Sequence, residues 1–143
     1  MTMTFPYITA ATAVVLAVLQ MLLLLYTALG RGKYKVGLGD GDNAALRTRI
    51  RMHGNLAENL PLFLIMLGLT EMTGQWTAFV PWIAIAFIVI RLSHLIGLAM
   101  GEGVNPFRFI GGAGTITVVL ILARLLAGSL LSGTHWMAAL PHV

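Results

Sequence analysis

The chain has 143 residues, of which 58% are apolar and 10% are charged, and its mean hydropathy is +0.89. Soluble domains carry about 25% charged residues, so this composition excludes a disordered chain and argues against a soluble monomer. In a soluble protein a net charge of +4 would suggest nucleic acid as a partner. Because the bases are few and several of the nine Lys and Arg lie in or beside apolar runs, a membrane protein with an anionic ligand fits better.

The apolar runs predict four helices within a single domain of residues 1–143. Residues 5–29 can span a bilayer, which takes about 20 residues. No basic segment precedes them and no clear cleavage site follows, so we interpret them as a retained helix rather than a signal peptide. A Gly-rich loop is expected over residues 30–43, and the other helices over residues 46–72, 76–100 and 107–131. The short connections favour an all-α, integral membrane, up-down-up-down four-helix bundle.

The distribution of Lys and Arg predicts how the bundle is oriented in the membrane. Lys and Arg residues lie in the first loop, at the start of the second helix and in the helices on either side of the third loop. The second loop, residues 73–75, has none. Because cytoplasmic loops are enriched in these residues, we expect loops one and three to be cytoplasmic. Both termini would then lie on the opposite side.

The second helix carries polar side chains that are costly in lipid, at about 2.5–3.5 kcal/mol for each charge. At about 100° per residue, one arc of about 80° holds Arg47, Arg51, Asn55 and Glu58, and the nearly opposite side holds Arg49 and His53. Lipid can satisfy neither face. We therefore expect one face to look into the bundle and the other to meet a neighbouring subunit of a homo-oligomer.

Two interpretations of Arg51 and Glu58 are open. They form a buried structural ion pair, or they belong to an anion site in which guanidinium groups bind ligand carboxylates and Glu58 binds a ligand ammonium. The anion site is favoured by the excess of cations at this end, namely Arg31, Arg47, Arg49, Arg51, Arg91 and Arg108. The third helix also places Arg91 and His94 on one face. No ligand spacing supports a metal, and the absence of Cys means that any thiol must come from a small molecule.

The segment Arg51-x-His53-x-Asn55-x-x-Glu58-Asn59-x-Pro61 resembles the MAPEG family, the membrane-associated proteins in eicosanoid and glutathione metabolism. The resemblance covers residues 25–126 and includes the four helices and their spacing. Asn59 after Glu58 is similar to the microsomal glutathione transferase branch. Arg91-x-x-His94 is similar to the microsomal prostaglandin E synthase branch.

The resemblance implies a homotrimer with glutathione, as cosubstrate, bound in clefts between subunits. In this arrangement Arg51, Asn55 and Glu58 hold the tripeptide, and Arg31 reaches a carboxylate from the first loop. The full set of candidate glutathione-binding residues is Arg31, Arg47, Arg49, Arg51, His53, Asn55, Glu58, Asn59, Arg91 and His94. By position, Arg108 matches the family's thiolate-stabilising Arg, whereas Leu98 stands where a family Tyr often helps to bind glutathione.

The function implied is that of a membrane-bound glutathione transferase. Arg108 would stabilise the thiolate, which attacks a lipophilic electrophile dissolved in the bilayer. A glutathione-dependent peroxidase activity is compatible with the same site. The alternative is a non-catalytic family member that binds a lipid or a partner protein. A small transporter ranks last, because the polar groups crowd at one end and form no continuous path.

Overall fold

The computed structural model describes residues 5–101 and 103–132 of the chain. These residues form the helices α1 (Tyr7–Tyr34), α2 (Ala44–Met72), α3 (Val80–Ala99) and α4 (Pro106–Ser132). Short segments join consecutive helices, and no strand occurs in the described ranges. The all-α four-helix architecture expected from the apolar runs is therefore confirmed.

Contacts between neighbouring helices show that each runs antiparallel to the one before it. The end of α2 meets the start of α1, where the carboxylate of Glu71 accepts a hydrogen bond from the amide of Thr9. Between α2 and α3, the rings of Phe63 and Phe87 stack with centroids 3.5 Å apart, and Asn55, earlier in α2, contacts Arg91, later in α3. The end of α3 in turn packs against the start of α4, where Gly97 lies beside Arg108. The bundle is thus up-down-up-down.

The interior contains two apolar clusters. The larger has buried side chains from all four helices, namely Leu16, Phe63, Leu67, Val80, Ala84, Phe87, Val118 and Leu122. The smaller consists of Leu23, Leu56 and Leu95. On α1 and α3, the buried side chains of Gln20 and Arg91 lie between the residues of the two clusters. A layer of buried polar side chains therefore lies between the two apolar clusters, and the smaller cluster is the one nearer the basic end of the bundle.

Three helices, α1, α3 and α4, are long and apolar enough to cross a membrane. Their outer faces expose large apolar side chains, which suit contact with lipid tails. The helix α2 differs because its first half carries the polar and charged residues. Lipid contact all round would be unfavourable for these side chains.

The first helix is longer than expected, because residues 30–34, which we assigned to the loop, are helical. Gly30 is buried against the side chain of Arg49, so this turn is held by packing on α2. Basic side chains in the last turn also interact favourably with the helix dipole. The helix ends at Tyr34. Its C-cap, Lys35, has a φ of 55°, and the amide of Val36 donates to the carbonyl of Arg31 over 3.1 Å.

The third helix begins later than expected, because residues 76–79 form a turn rather than helix. Pro81 lies in the first turn of α3, where its fixed φ and missing N–H favour a helix start. The indole Nε1 of Trp76 donates to Ser129 Oγ over 2.9 Å. This contact ties the turn to the far end of α4.

Glu71, which belongs to α2, caps the first turn of α1. Its carboxylate accepts hydrogen bonds from Ile8 N at 2.9 Å, Thr9 N at 2.8 Å and Thr9 Oγ1 at 2.7 Å. The first amides of a helix have no partner within the helix, and a negative charge near them is favourable. Glu71 therefore has a structural role that the sequence pattern does not reveal.

Replacing Glu71 with Gln should lower the free energy of unfolding by about 1–3 kcal/mol, because one acceptor oxygen and the charge are lost. Thermal unfolding of the detergent-purified protein measures the change. Asp42→Asn is the control, since it also neutralises one carboxylate but at an exposed side chain. Equal melting temperatures for the Glu71 variant and the unchanged protein would contradict the capping role.

Candidate functional site

The basic end of the bundle is built from the end of α1 and the starts of α2 and α4. Asn43 caps α2, where its Oδ1 accepts a hydrogen bond from Leu46 N at 2.9 Å. The cap fixes where α2 begins and places its three Arg in the first turns. The loop before it, residues 36–43, folds over the same end of the bundle.

A cavity of about 320 Å³ opens at this end, which we call cavity one. It is lined by Arg47, Thr48, Arg51, Leu98, Gly101 and Arg108. Its volume falls at the lower end of the range for small-molecule sites, about 300–1,000 Å³. Three of the predicted site residues, from α2 and α4, therefore meet in one cavity. A concentration of guanidinium groups is suited to binding an anion that carries carboxylates.

The position of Arg108 is set by its neighbours on α3. Asn105 caps α4, where its Oδ1 accepts from Arg108 N at 3.0 Å, and its Nδ2 donates to the carbonyl of Gly97 at 2.8 Å. A Cβ at Gly97 would press on the backbone of Arg108, so only Gly allows this approach. The guanidinium of Arg108 also donates to the carbonyl of Gly103 over 3.0 Å.

A second cavity of about 380 Å³, cavity two, lies beside the first. It is lined by Arg31, Gly39, Asp40, Arg47, Ile50 and Arg51. Arg47 and Arg51 line both cavities and so form the wall between them. The prediction placed Arg31 in the first loop, but the residue belongs to the last turn of α1, from which it lines cavity two.

An ion pair joins the first loop to the wall between the cavities. The Nε of Arg47 donates to Asp40 Oδ2 over 2.5 Å, and both side chains are partly exposed. This hydrogen bond lowers the pKa of the Asp40 carboxyl, and the backbone amide of Asp42 lowers it further. Because the pKa of Asp40 is lowered in the folded protein, the ion pair is fully formed at pH values above the ordinary pKa of Asp. It is lost as the pH falls through the lowered pKa.

Arg91 is buried in the bundle, with 1% of its surface exposed. Its guanidinium donates to Thr115 Oγ1 over 3.0 Å and to Asn55 Oδ1 in a short contact. It therefore joins α2, α3 and α4 below the open cavities. The carboxylate of Glu58 interacts with it electrostatically. The buried Arg91 and the half-buried Asn55, both predicted site residues, therefore contact each other and line neither cavity.

His94 lies where α3 and α4 approach most closely. Its Nδ1 is 3.3 Å from the carbonyl oxygen of Arg108. A Cβ at Gly111 would come within 3.0 Å of His94 Cα, so the small residue on α4 makes room for the imidazole. The structure thus brings His94 beside the backbone of Arg108.

Arg49 faces α1, away from both cavities. Its guanidinium lies 3.9 Å from the centroid of the Tyr26 ring and donates to the carbonyl of Tyr26 over 3.0 Å. The carbonyl of His53, on the same side of α2, accepts from Gln20 Nε2 over 3.4 Å. The side of α2 that carries Arg49 therefore packs against α1 within the chain.

Arg51 and Glu58 both have exposed side chains on the outer face of α2. Among the residues that the structure describes, no ion pair joins them. Within one chain, Arg51 and Glu58 therefore do not form the buried structural ion pair that was one of the two interpretations. Asn59 donates its amide to the carbonyl of Asn55 over 2.7 Å and stays on its own helix.

Some residues that shape the site were missed by the sequence reasoning. Asn105 and Pro106 carried a usable signal, since Asn followed by Pro is typical of a helix start. Thr115 and Gly111 carried none, because their roles depend on the register between α3 and α4. Within the described part of the chain, no group of three or more His, Asp or Glu could hold a metal ion.

The fold and site define a helical membrane protein with a basic, anion-compatible cavity at one end. The chain belongs to the MAPEG family, whose model matches residues 9–128. It is also similar to the inner membrane protein YecN of Escherichia coli strain K12, with 35% identity over 85 residues. YecN of Escherichia coli O6:H1 is similar to the same degree. The similar region covers 57% of this chain and 65% of each relative, which is less than two thirds of the relatives' length.

Proposed function

We propose that the protein is a membrane glutathione transferase that binds glutathione at the basic end of the bundle. The observation that carries this proposal is the convergence of Arg47, Arg51 and Arg108 on one cavity. Glutathione has two carboxylates and one ammonium, so it offers guanidinium groups the partners that they bind best. The exposed carboxylate of Glu58 is suited to the ammonium.

In the proposed reaction Arg108 activates the glutathione thiol. A free thiol of this kind has a pKa of about 8.5, and a nearby guanidinium favours the thiolate. The thiol proton passes to solvent at the open end of the cavity. The sulfur then donates an electron pair to a carbon atom of the electrophile and forms a C–S bond. The leaving group departs with the electron pair of the bond that breaks. The family membership supports this chemistry, and the lipid-facing helices give an apolar electrophile access.

The proposed assembly is a homotrimer with sites between subunits. The support comes from α2, whose outer face exposes Arg51 and Glu58. These charges suit a polar cleft between subunits better than lipid. We further propose that all four helices cross the membrane, with the two basic loops on the cytoplasmic side and both termini opposite.

A second candidate function is that of a non-catalytic family member, and Leu98 favours it. Leu98 lines cavity one with 8% of its surface exposed. Its side chain cannot donate a hydrogen bond to a ligand, unlike the Tyr that often stands there in the family. Purified protein that binds glutathione but converts none of a panel of model electrophiles would favour this candidate over the transferase.

Glutathione should bind to the detergent-purified protein, and Arg51→Ala should weaken binding about 10–100-fold. This range corresponds to the loss of a charged hydrogen bond of about 1.5–3 kcal/mol. Isothermal titration calorimetry measures both affinities. Lys33→Ala is the matched control, because it removes an exposed positive charge from the same end without lining either cavity. Equal weakening by both substitutions would show only a general charge effect and would reject the assigned site.

A further inference from the structure

The first loop engages two of the Arg side chains that line cavity two. Arg31 Nη1 donates to the carbonyl of Gly39 over 2.9 Å and to that of Gly37 over 3.4 Å. Arg47 Nε donates to Asp40 Oδ2 over 2.5 Å. Residues 37–40 therefore offer oxygen atoms to the same groups that would bind an anion.

The backbone of the loop holds Asp40 in this position. Its Oδ1 accepts a hydrogen bond from Asp42 N at 3.1 Å, and its carbonyl accepts from Asn43 N at 3.1 Å. Gly39 and Gly41 have φ values of 69° and 57°, which Gly adopts without strain. One carboxylate oxygen is thus used to fix the turn and the other is directed at Arg47.

We propose that Asp40 is a built-in competitor that holds Arg47 until a ligand carboxylate displaces it. The inference rests on the proposed function, since the displacing group is a carboxylate of glutathione. A ligand carboxylate can bind in a bidentate manner at the Nε edge of a guanidinium, and Asp40 occupies that edge of Arg47. Arg47 also lines both cavities, so its release changes the wall between them.

The competition is weak enough to be reversible. Both side chains are partly exposed, and exposed ion pairs contribute little to stability. The exchange of one carboxylate for another conserves charge and hydrogen-bond type. Asp40 therefore raises the dissociation constant of the ligand without closing the site.

Asp40→Asn tests this competition. Asn keeps the side-chain oxygen that accepts from Asp42 N but removes the charge that holds Arg47. The affinity for glutathione should rise about two- to fivefold, the range expected for an exposed ion pair. Asp42→Asn removes the same charge from the same loop at an exposed side chain and should leave the affinity within error. Unchanged or weaker binding by the Asp40 variant overturns the proposal.

A double-mutant cycle shows whether the effect acts through Arg47. In an Arg47→Gln background, Asp40→Asn should no longer change the affinity, because the shared partner is gone. A gain that persists in this background would indicate a general field effect and would overturn the proposal. The cycle also separates competition from simple loosening of the loop, which would act with or without Arg47.

A second probe separates this proposal from the proposed function. If the unchanged protein binds no glutathione, the proposed function fails, and the same variants are then titrated with succinate, a simple dicarboxylate. Tighter succinate binding by Asp40→Asn, but not by Asp42→Asn, supports the competition on its own. Equal succinate affinities, or no succinate binding by any variant, overturn it.

Discussion

Replacing Arg108 with Ala should abolish the ultraviolet absorbance of the glutathione thiolate and reduce the turnover of a model electrophile about 10²–10³-fold at neutral pH. This is the range seen when one preorganised electrostatic partner is removed from a reacting site. Without the guanidinium, the thiol reverts toward its ordinary pKa of about 8.5 and remains protonated at pH 7. Difference spectroscopy on adding glutathione measures the thiolate directly.

Two comparisons make this result specific to Arg108. Arg124→Ala removes the same side chain from an exposed position near the other end of α4, and it should leave both absorbance and turnover unchanged. Arg108→Lys keeps a positive charge and should retain part of the absorbance. An Arg108→Ala protein that still forms the thiolate and still conjugates would reject the assignment of this residue as the activator.

Replacing Gly111 with Ala should destabilise the protein by about 1–3 kcal/mol, the usual cost of forcing a methyl group into a packed interface. The new Cβ would come within 3.0 Å of the Cα of His94, so the backbones of α3 and α4 must separate. Separation there also moves the first turn of α4, which carries Arg108. We therefore expect a lower melting temperature together with a loss of turnover.

The neighbouring glycine provides the control. A Cβ at Gly112 meets nothing within 4 Å, so Gly112→Ala adds the same methyl group to the same helix without a clash. Because Ala favours helix by about 1 kcal/mol over Gly, this variant should be as stable as the unchanged protein or slightly more so. If Gly111→Ala has the same melting temperature as Gly112→Ala, the close approach of α3 and α4 does not require Gly at position 111.

The sequence alone was sufficient for the four helices. Three of them are long apolar runs, and α2 combines an apolar second half with a first half whose polar side chains follow the helical period. The sequence was less successful at the ends of the helices. Residues 30–34 carry two Gly and two basic side chains, which favour a loop, yet Gly30 packs against Arg49 and the helix continues. Helix ends of this kind depend on contacts between helices, which local composition does not encode.

The candidate site was predictable in part for a similar reason. The 3.6-residue period of α2 is enough to separate Arg47 and Arg51 from Arg49, and the structure confirms that Arg49 lies on a different side. The period cannot say how far one helix is shifted along another. That shift decides that Asn55 meets Arg91 and that Gly111 meets His94. Ligand binding by the predicted site residues stays a prediction.

The contact between Glu71 and the first turn of α1 has a consequence for biosynthesis. The carboxylate is made 62 residues after Thr9, so the leading helix emerges from the ribosome before its terminal amides have their partner. The helical hairpin of α1 and α2 is therefore the smallest unit in which the first amides of α1 have their hydrogen-bond partner. A ribosome stalled before codon 71 should leave that segment more accessible to proteases than one stalled after the hairpin has emerged.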